Sequence, residues 1–198
     1  GEWLQAEGNY PADTIVRSAC GLRQTSLPKV QAKPRGTRST KILVPLATNL
    51  EEYVKVLVLL EQAFSGVAGY EVRIRPHPSL ALEAALETAP VSHPDFSFDG
   101  KNPLSEELQW ADVVLYASST VGLEAIQIGI PTIYLDLGHI LDTDPMFGWS
   151  EFKWRVDDPS QLIDTILSIE ALSGTEFIDR QRKGREYAAR YLKPVTDA

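Results

Sequence analysis

Residues 112–135 read DVVLYASSTVGLEAIQIGIPTIYL, and this stretch decides the fold. It opens with a predicted strand, Asp112 to Tyr116, that is apolar after its first residue. Hydroxyl residues follow, then a helical stretch that Gly129 ends, then a second predicted strand from Pro131 to Leu135. Strands without a polar face are buried on both sides, which is typical of a parallel sheet covered by helices.

The same alternation extends in both directions from this stretch. The predicted strands before it are Ile42–Leu46, Glu71–Arg75 and the weaker Phe96–Phe98. The predicted helices are one capped by Asn49 and ended by Gly66, then Ser79–Glu87, Ser105–Trp110, Pro159–Ile169 and Glu176–Tyr191. Alternating strands and helices predict a doubly wound, Rossmann-like α/β domain with helices on both faces of a parallel sheet.

The first forty residues differ from the rest in composition. Residues 1–13 show no clear period, residues 24–40 contain Pro28, Pro34, Gly36 and several basic residues, and the only β-type run is at 14–19. We therefore expect residues 1–40 to be a linker with one short strand, and residues 41–198 to form the domain.

Composition excludes several classes of function. The 198 residues carry a formal net charge of −8, which argues against nucleic-acid binding through the whole surface. A lone cysteine, Cys20, cannot form an internal disulfide and favours a reducing compartment. No apolar run approaches the length of a membrane span. We expect a cytoplasmic protein without a transmembrane segment. Any association with a membrane would be made by a part of the enzyme outside these residues.

The first candidate site residue is His77, in the sequence Arg75-Pro76-His77-Pro78 after a predicted strand. Two prolines fix the turn, so the imidazole points in one direction and can donate to a phosphate oxygen or a base carbonyl. Arg75 can add a contact with phosphate. The alternative is that His77 only fills a turn; its position between two prolines at the end of a strand favours a function.

The second candidate is the run Ser118-Ser119-Thr120 at a helix start, where hydroxyls and free N–H groups can hold a phosphate. Gly122 would allow a close approach by a ligand or another backbone. Ordinary helix capping is the alternative, although one hydroxyl would suffice for it. Glu124, further along this helix, can accept hydrogen bonds from a ribose diol, or can simply be a helix-surface glutamate.

Other segments carry weaker signals. The stretch from Asp136 to Trp149 is rich in carboxylates and aromatic residues, and either lines a pocket, contacts another domain or forms a plain loop. Its acidic residues and His139 match no established metal-ligand spacing, so we predict no metal site. His93 is expected to be solvated. The sequence contains neither a dinucleotide-binding glycine motif nor a P-loop.

Together these motifs resemble the C-terminal domain of GT-B fold glycosyltransferases, in particular the sialyltransferase-like and Kdo-transferase-like enzymes of bacterial surface polysaccharide assembly. The matching residues are His77-Pro78, Ser118-Ser119-Thr120 and the helix-and-turn stretch through Glu124 to Pro131. Gly21-Leu22-Arg23 and Tyr191-Leu192-Lys193-Pro194 are similar to the start and end of such domains.

The resemblance implies a donor site for a nucleotide sugar, linked to CMP, CDP or UDP, with no cofactor and no metal. His77 and Pro78 would contact the nucleotide, Ser118, Ser119 and Thr120 the phosphates, and Glu124 the ribose. The general base would come from an N-terminal acceptor-binding domain that these residues do not include, so we expect no catalytic residue and no activity in this chain alone.

Two alternatives remain open, and the sequence counts against a third. A sugar-nucleotide 2-epimerase shares the fold and much of the helix stretch. A non-catalytic nucleotide-binding or scaffold domain would keep the architecture without turnover. A signalling module of the response-regulator kind requires acidic residues after the first strand, where this chain has Ala47-Thr48-Asn49.

Overall fold

The computed structural model describes residues 10, 11, 13–15, 39–89, 91–98 and 100–192. Thr14 and Ile15, the first residues of the strand expected at 14–19, are not in a strand. The rest of that run and the Gly21–Arg23 segment lie outside the described residues. The division at residue 40 therefore stays a prediction.

A six-stranded sheet, in the order β3-β2-β1-β4-β5-β6, forms the centre of the domain, and all its strand pairs are parallel. The strands are β1 (Thr40–Pro45), β2 (Tyr70–Arg75), β3 (Phe96–Phe98), β4 (Val113–Tyr116), β5 (Thr132–Leu135) and β6 (Lys153–Val156). The predicted Rossmann-like fold class is thereby confirmed.

Helices cover both faces of the sheet. They are α1 (Leu50–Phe64), α2 (Glu83–Thr88), α3 (Leu104–Trp110), α4 (Val121–Ile128), α5 (Leu162–Glu170) and α6 (Gly174–Ala188), with a 3-10 turn at Pro159–Gln161 before α5. Alternate strand residues feed two layers: Ile42 and Val44 pack with α1, α2 and α5, whereas Leu43 packs with α3 and α4. Helix α6 packs on α4 over the second face.

Two helices start later than the sequence predicts, and both differences lie at the carboxyl edge of the sheet. Helix α2 was expected from Ser79 but begins at Glu83, because His77 and Ser79 form a turn of their own. Helix α4 begins at Val121, after the hydroxyl run rather than within it. The residues released from these helices form the loops of the candidate site.

Strand β6 was not expected at all. Its sequence, Lys-Trp-Arg-Val, mixes charged and apolar residues, and it pairs with β5 alone, so one edge has no neighbour within the described chain. A strand that is only half buried carries a weak hydrophobic signal. No helix in the described part of the chain is long and apolar enough to cross a membrane.

Candidate functional site

The order of strands reverses at β1. Strands β2 and β3 lie on one side of it, and β4, β5 and β6 lie on the other. In open parallel sheets, ligands bind beyond the carboxyl ends of the strands at such a reversal. His77 follows β2 and Ser118 follows β4, so both turns lie at this edge and flank the loop after β1.

The His77 turn is held by three hydrogen bonds. The His77 N–H donates to the hydroxyl of Tyr53 at 2.5 Å. The Nδ1 atom accepts from the Ser79 N–H at 3.2 Å and lies 2.8 Å from the Ser79 hydroxyl. Because Nδ1 is an acceptor, we assign the proton of the neutral ring to Nε2. Nε2 has no partner among the described residues and is left as a donor. Pro78 beside it is exposed.

Arg75 is part of an ion pair within the protein. Its Nη1 lies 2.5 Å from a carboxylate oxygen of Glu107, which is fully buried in α3, and also donates to the carbonyl of Asn102 at 2.8 Å. These contacts tie the end of β2 to α3. The phosphate contact expected of Arg75 stays a prediction, and it would have to be made by a guanidinium that already neutralises Glu107.

Ser118 is bound by a carboxylate that the sequence did not single out. Its hydroxyl donates to one oxygen of Glu52 at 2.6 Å, and its N–H donates to the other at 3.4 Å. Glu52 lies in the first turn of α1 and is 4% exposed. Its own N–H donates to the Asn49 side chain, and the positive end of the α1 dipole favours a carboxylate at this place.

The other two hydroxyls of the run have different surroundings. Ser119 is buried, and its Oγ accepts from the Val121 N–H at 3.4 Å, which caps α4. Thr120 is exposed and its side chain makes no capping bond. Within the described chain, the N–H groups of Ser119 and Thr120 have no acceptor. Accepting the bond from Val121 does not use the Ser119 O–H, so the turn offers two amide donors and the hydroxyls of Ser119 and Thr120.

Gly122 lies against the ring of Tyr116. A Cβ at this position would be 2.7 Å from the nearest ring atom, so the absence of a side chain allows β4 and α4 to pack closely. This contact is within the protein core, since both residues are buried. The use of Gly122 by a ligand stays a prediction.

Glu124 is half-buried in the first turn of α4, where its N–H donates to the Thr120 carbonyl at 3.3 Å. Its contact with a ribose also remains a prediction.

Adjacent residues of α1 thus connect the two candidate turns. Glu52 binds the Ser118 turn, and Tyr53 binds the His77 turn. Burial raises the pKa of the Tyr53 hydroxyl. The sequence analysis did not single out Glu52. A signal was present, because Glu52 precedes Val56 and Leu60 at a spacing of four residues, on the buried face of the helix.

An open groove of about 560 Å³ lies between α1 and the loops after β5 and β6, and neither candidate turn contributes a residue to its lining. Its lining residues are Lys55, Leu59, Asp136, Leu137, Gly138 and Asp157. Two of its charges are paired: Lys55 lies 2.8 Å from Glu51, and Asp136 binds Arg155. The groove accordingly shows no strong net charge from these side chains.

The segment from Asp136 to Trp149 is a loop with a buried anchor. Asp144 accepts from the Tyr116 hydroxyl at 2.8 Å and from the Met146 N–H at 2.9 Å, and it binds the ammonium group of Lys153. Asp144 is therefore engaged by a cation of the protein. Within the described residues, no three acidic, histidine or cysteine side chains are grouped as metal ligands would be.

His93 lies at the opposite edge of the sheet, just before β3. Its Nε2 donates to the Phe64 carbonyl at 3.0 Å, and its ring stacks on Phe96 with centroids 4.6 Å apart. His93 is therefore a packed turn residue, where the sequence analysis expected a solvated one.

No protein-family model matches the sequence. No curated protein matches it either.

Among solved structures, the chain is similar to the glycotransferase of kitacinnamycin, with a TM-score of 0.58 and 14% identity over 87% of this chain and 44% of that one. The chain is also similar to the glycosyltransferase SnogD from Streptomyces nogalater, with a TM-score of 0.55 and 15% identity over 86% of this chain and 44% of that one. The fold is that of one half of a GT-B glycosyltransferase.

A UDP-N-acetylglucosamine 2-epimerase from Listeria monocytogenes is also similar, with a TM-score of 0.53 and 14% identity over 81% of this chain and 47% of that one. The chain thus spans less than half the length of these three proteins. At such identities the similarity establishes the fold alone.

Proposed function

We propose that this chain is the donor-binding half of a glycosyltransferase, which transfers a sugar from a nucleotide-activated donor to an acceptor glycan. The fold of the named glycosyltransferases supports the class of protein. The observation that carries the proposal is local: two turns with unpaired donors lie on either side of β1 and are fixed to adjacent residues of α1.

The chemistry of these donors suits a phosphate group. Nε2 of His77 and the amides of Ser119 and Thr120 are N–H groups of short loops that have no acceptor among the described residues, and α4 begins directly after the amides. A helix start of this kind favours an anion. During transfer, such donors would offset the charge that develops on the leaving phosphate.

In this proposal the remaining predicted residues have secondary roles. Glu124 would hold the ribose, Pro78 would shape the nucleotide pocket, and Arg75 would add a phosphate contact while it stays paired with Glu107. The donor would be a CMP-, CDP- or UDP-linked sugar used as substrate, without a cofactor or a metal. The general base would belong to an acceptor-binding domain, so that this chain alone binds the donor without turnover.

The first test is nucleotide binding by His77→Ala. We expect the variant to lose about tenfold or more in affinity, since one hydrogen bond to a charged group is removed. A thermal-shift screen with CMP, CDP, UDP and GDP would select the ligand, because bound ligand stabilises the folded state. Calorimetry with that nucleotide would then compare the wild type and the variant.

His93→Ala is the matched control, since it removes the same side chain from the opposite edge of the sheet. It should leave the affinity unchanged, even if it lowers the melting temperature. Equal affinities of the wild type and His77→Ala would remove His77 from the site. Failure of all four nucleotides to bind would contradict the proposed function.

The similarity to the 2-epimerase favours a second candidate, in which the same edge of the sheet binds a sugar nucleotide for epimerisation. Both candidates require a nucleotide site, so binding does not separate them. Incubating the protein, together with its companion domain, with UDP-N-acetylglucosamine does: isomerisation without acceptor supports the epimerase. Binding with neither isomerisation nor transfer supports a non-catalytic domain.

A further inference from the structure

Glu52 is a carboxylate that the proposed phosphate chemistry does not use. It is 4% exposed and lies directly under the turn where an anion is expected. An unpaired carboxylate beside a phosphate would weaken binding, since like charges repel strongly where water is excluded. The presence of this carboxylate next to an expected anion site therefore has to be explained.

The hydrogen bonds of Ser118 supply that explanation. Its hydroxyl and its N–H, the only two donors it has, are both directed at Glu52, at 2.6 and 3.4 Å. Ser118 has no donor left for a phosphate oxygen. Ser119 and Thr120 differ, because their amide N–H groups have no acceptor within the described chain.

We propose that Glu52 is a positioning residue of the donor site, and that Ser118 belongs to the frame of the site rather than to its ligand contacts. This inference rests on the proposed function. Glu52 fixes the backbone of Ser118 so that the two following amides face the ligand, and Ser118 in turn supplies this buried carboxylate with hydrogen-bond donors. The phosphate contacts then fall on Ser119 and Thr120.

This arrangement also sets the distance between the two halves of the site. Tyr53, the neighbour of Glu52, holds the His77 N–H at 2.5 Å. One helical turn therefore fixes the imidazole and the amide donors relative to each other, on either side of β1. The two residues are close in sequence, whereas the turns that they hold are far apart along the chain.

The test compares Ser118→Ala with the double variant Ser118→Ala/Glu52→Gln. The probe is whichever of CMP, CDP, UDP and GDP binds the wild type. Ser118→Ala should weaken binding about tenfold, because the Glu52 carboxylate loses the stronger of its two donors from residue 118 close to the phosphate, and the turn is held less firmly. The double variant should recover most of that loss, since glutamine is neutral and its amide oxygen can still accept from the N–H of residue 118 and hold the loop. Ser118→Thr, which keeps the hydroxyl, should bind close to the wild type.

An opposite pattern would overturn the inference. If the double variant binds as weakly as Ser118→Ala, the Ser118 hydroxyl contacts the ligand itself. A site in which all hydroxyls contribute equally would also show the same loss for Ser118→Ala as for Thr120→Ala, with no recovery from Glu52→Gln in either background.

A measurement without ligand separates this inference from the proposed function. The falls in melting temperature of Glu52→Gln and Ser118→Ala should not add in the double variant, because both remove the same interaction. Additive falls would contradict the contact whether or not a nucleotide binds. If the falls are not additive and no nucleotide binds, the proposed function fails, and Glu52 remains only the residue that fixes this loop.

Discussion

Gly122 shows how a single residue decides the spacing between a strand and a helix. A side chain there would overlap the Tyr116 ring, whose hydroxyl is held by Asp144 and so cannot swing away without losing that bond. The backbone of Gly122 is ordinary helix, because its φ is not among the positive values. The need for glycine is therefore steric and not conformational.

We predict that Gly122→Ala destabilises the domain by about 1–3 kcal/mol, the usual cost of overpacking a core. Urea unfolding measures the change. Gly174→Ala is the control, since Gly174 is also helical but has no atom within 4 Å of a Cβ. It should be neutral or slightly stabilising, because alanine favours helix. Similar losses in both variants would contradict the steric argument.

The loop between β5 and β6 depends on one buried carboxylate. Asp144 joins Tyr116 of β4 to Lys153 of β6, and Lys153 also donates to the Met146 carbonyl at 2.7 Å. The side chains of Asp144 and Lys153 are only 4% and 10% exposed. An ion pair this deep contributes little net stability, but breaking it is costly because the remaining charge has no partner.

Asp144→Asn should therefore lower the free energy of unfolding by about 3 kcal/mol. Asp142→Asn is the matched control: Asp142 is exposed, and its Oδ1 accepts from the Asp144 N–H, a bond that asparagine can also make. Urea unfolding should show little effect of that change. A stability equal to the wild type in Asp144→Asn would mean that the Lys153 ammonium finds water or another acceptor.

At the scale of the whole molecule, buried tyrosines link stability to alkaline pH. Burial raises the pKa of Tyr116, with Asp144 adding to the effect, and burial also raises the pKa of Tyr187 and Tyr134. In the unfolded chain these phenols ionise near pH 10. The folded state keeps them neutral, so their contribution is complete below pH 10 and is lost as the pH rises above it.

We expect the free energy of unfolding to fall above pH 10, by up to about 1.4 kcal/mol per pH unit for each such tyrosine. Tyr116→Phe removes one of these groups and should make the decline less steep between pH 10 and pH 12, although its stability at pH 8 is lower. Urea unfolding at a series of pH values gives both quantities. An unchanged slope in Tyr116→Phe would contradict the assignment.

Features that depend on neighbouring residues in the sequence were predictable, whereas contacts between residues far apart in the sequence were not. Strands such as β4 and β5 are buried on both faces, so their sequences alone predicted them and, with the helices, the fold class. The charged edge strand β6 carried no such pattern. The bond between Glu52 and Ser118 joins residues 66 positions apart, and no local pattern records it. The positions of His77 and Ser118 after strands did place both turns at one edge, which the sheet order bears out.

The two outer strands of the sheet limit how this domain can associate with anything else. Strand β3 has only three residues, and the four-residue β6 carries two basic side chains, Lys153 and Arg155, the former buried against Asp144. Short or charged edges disfavour pairing with a foreign strand. The described edges of the sheet therefore disfavour its growth by addition of a strand from another molecule.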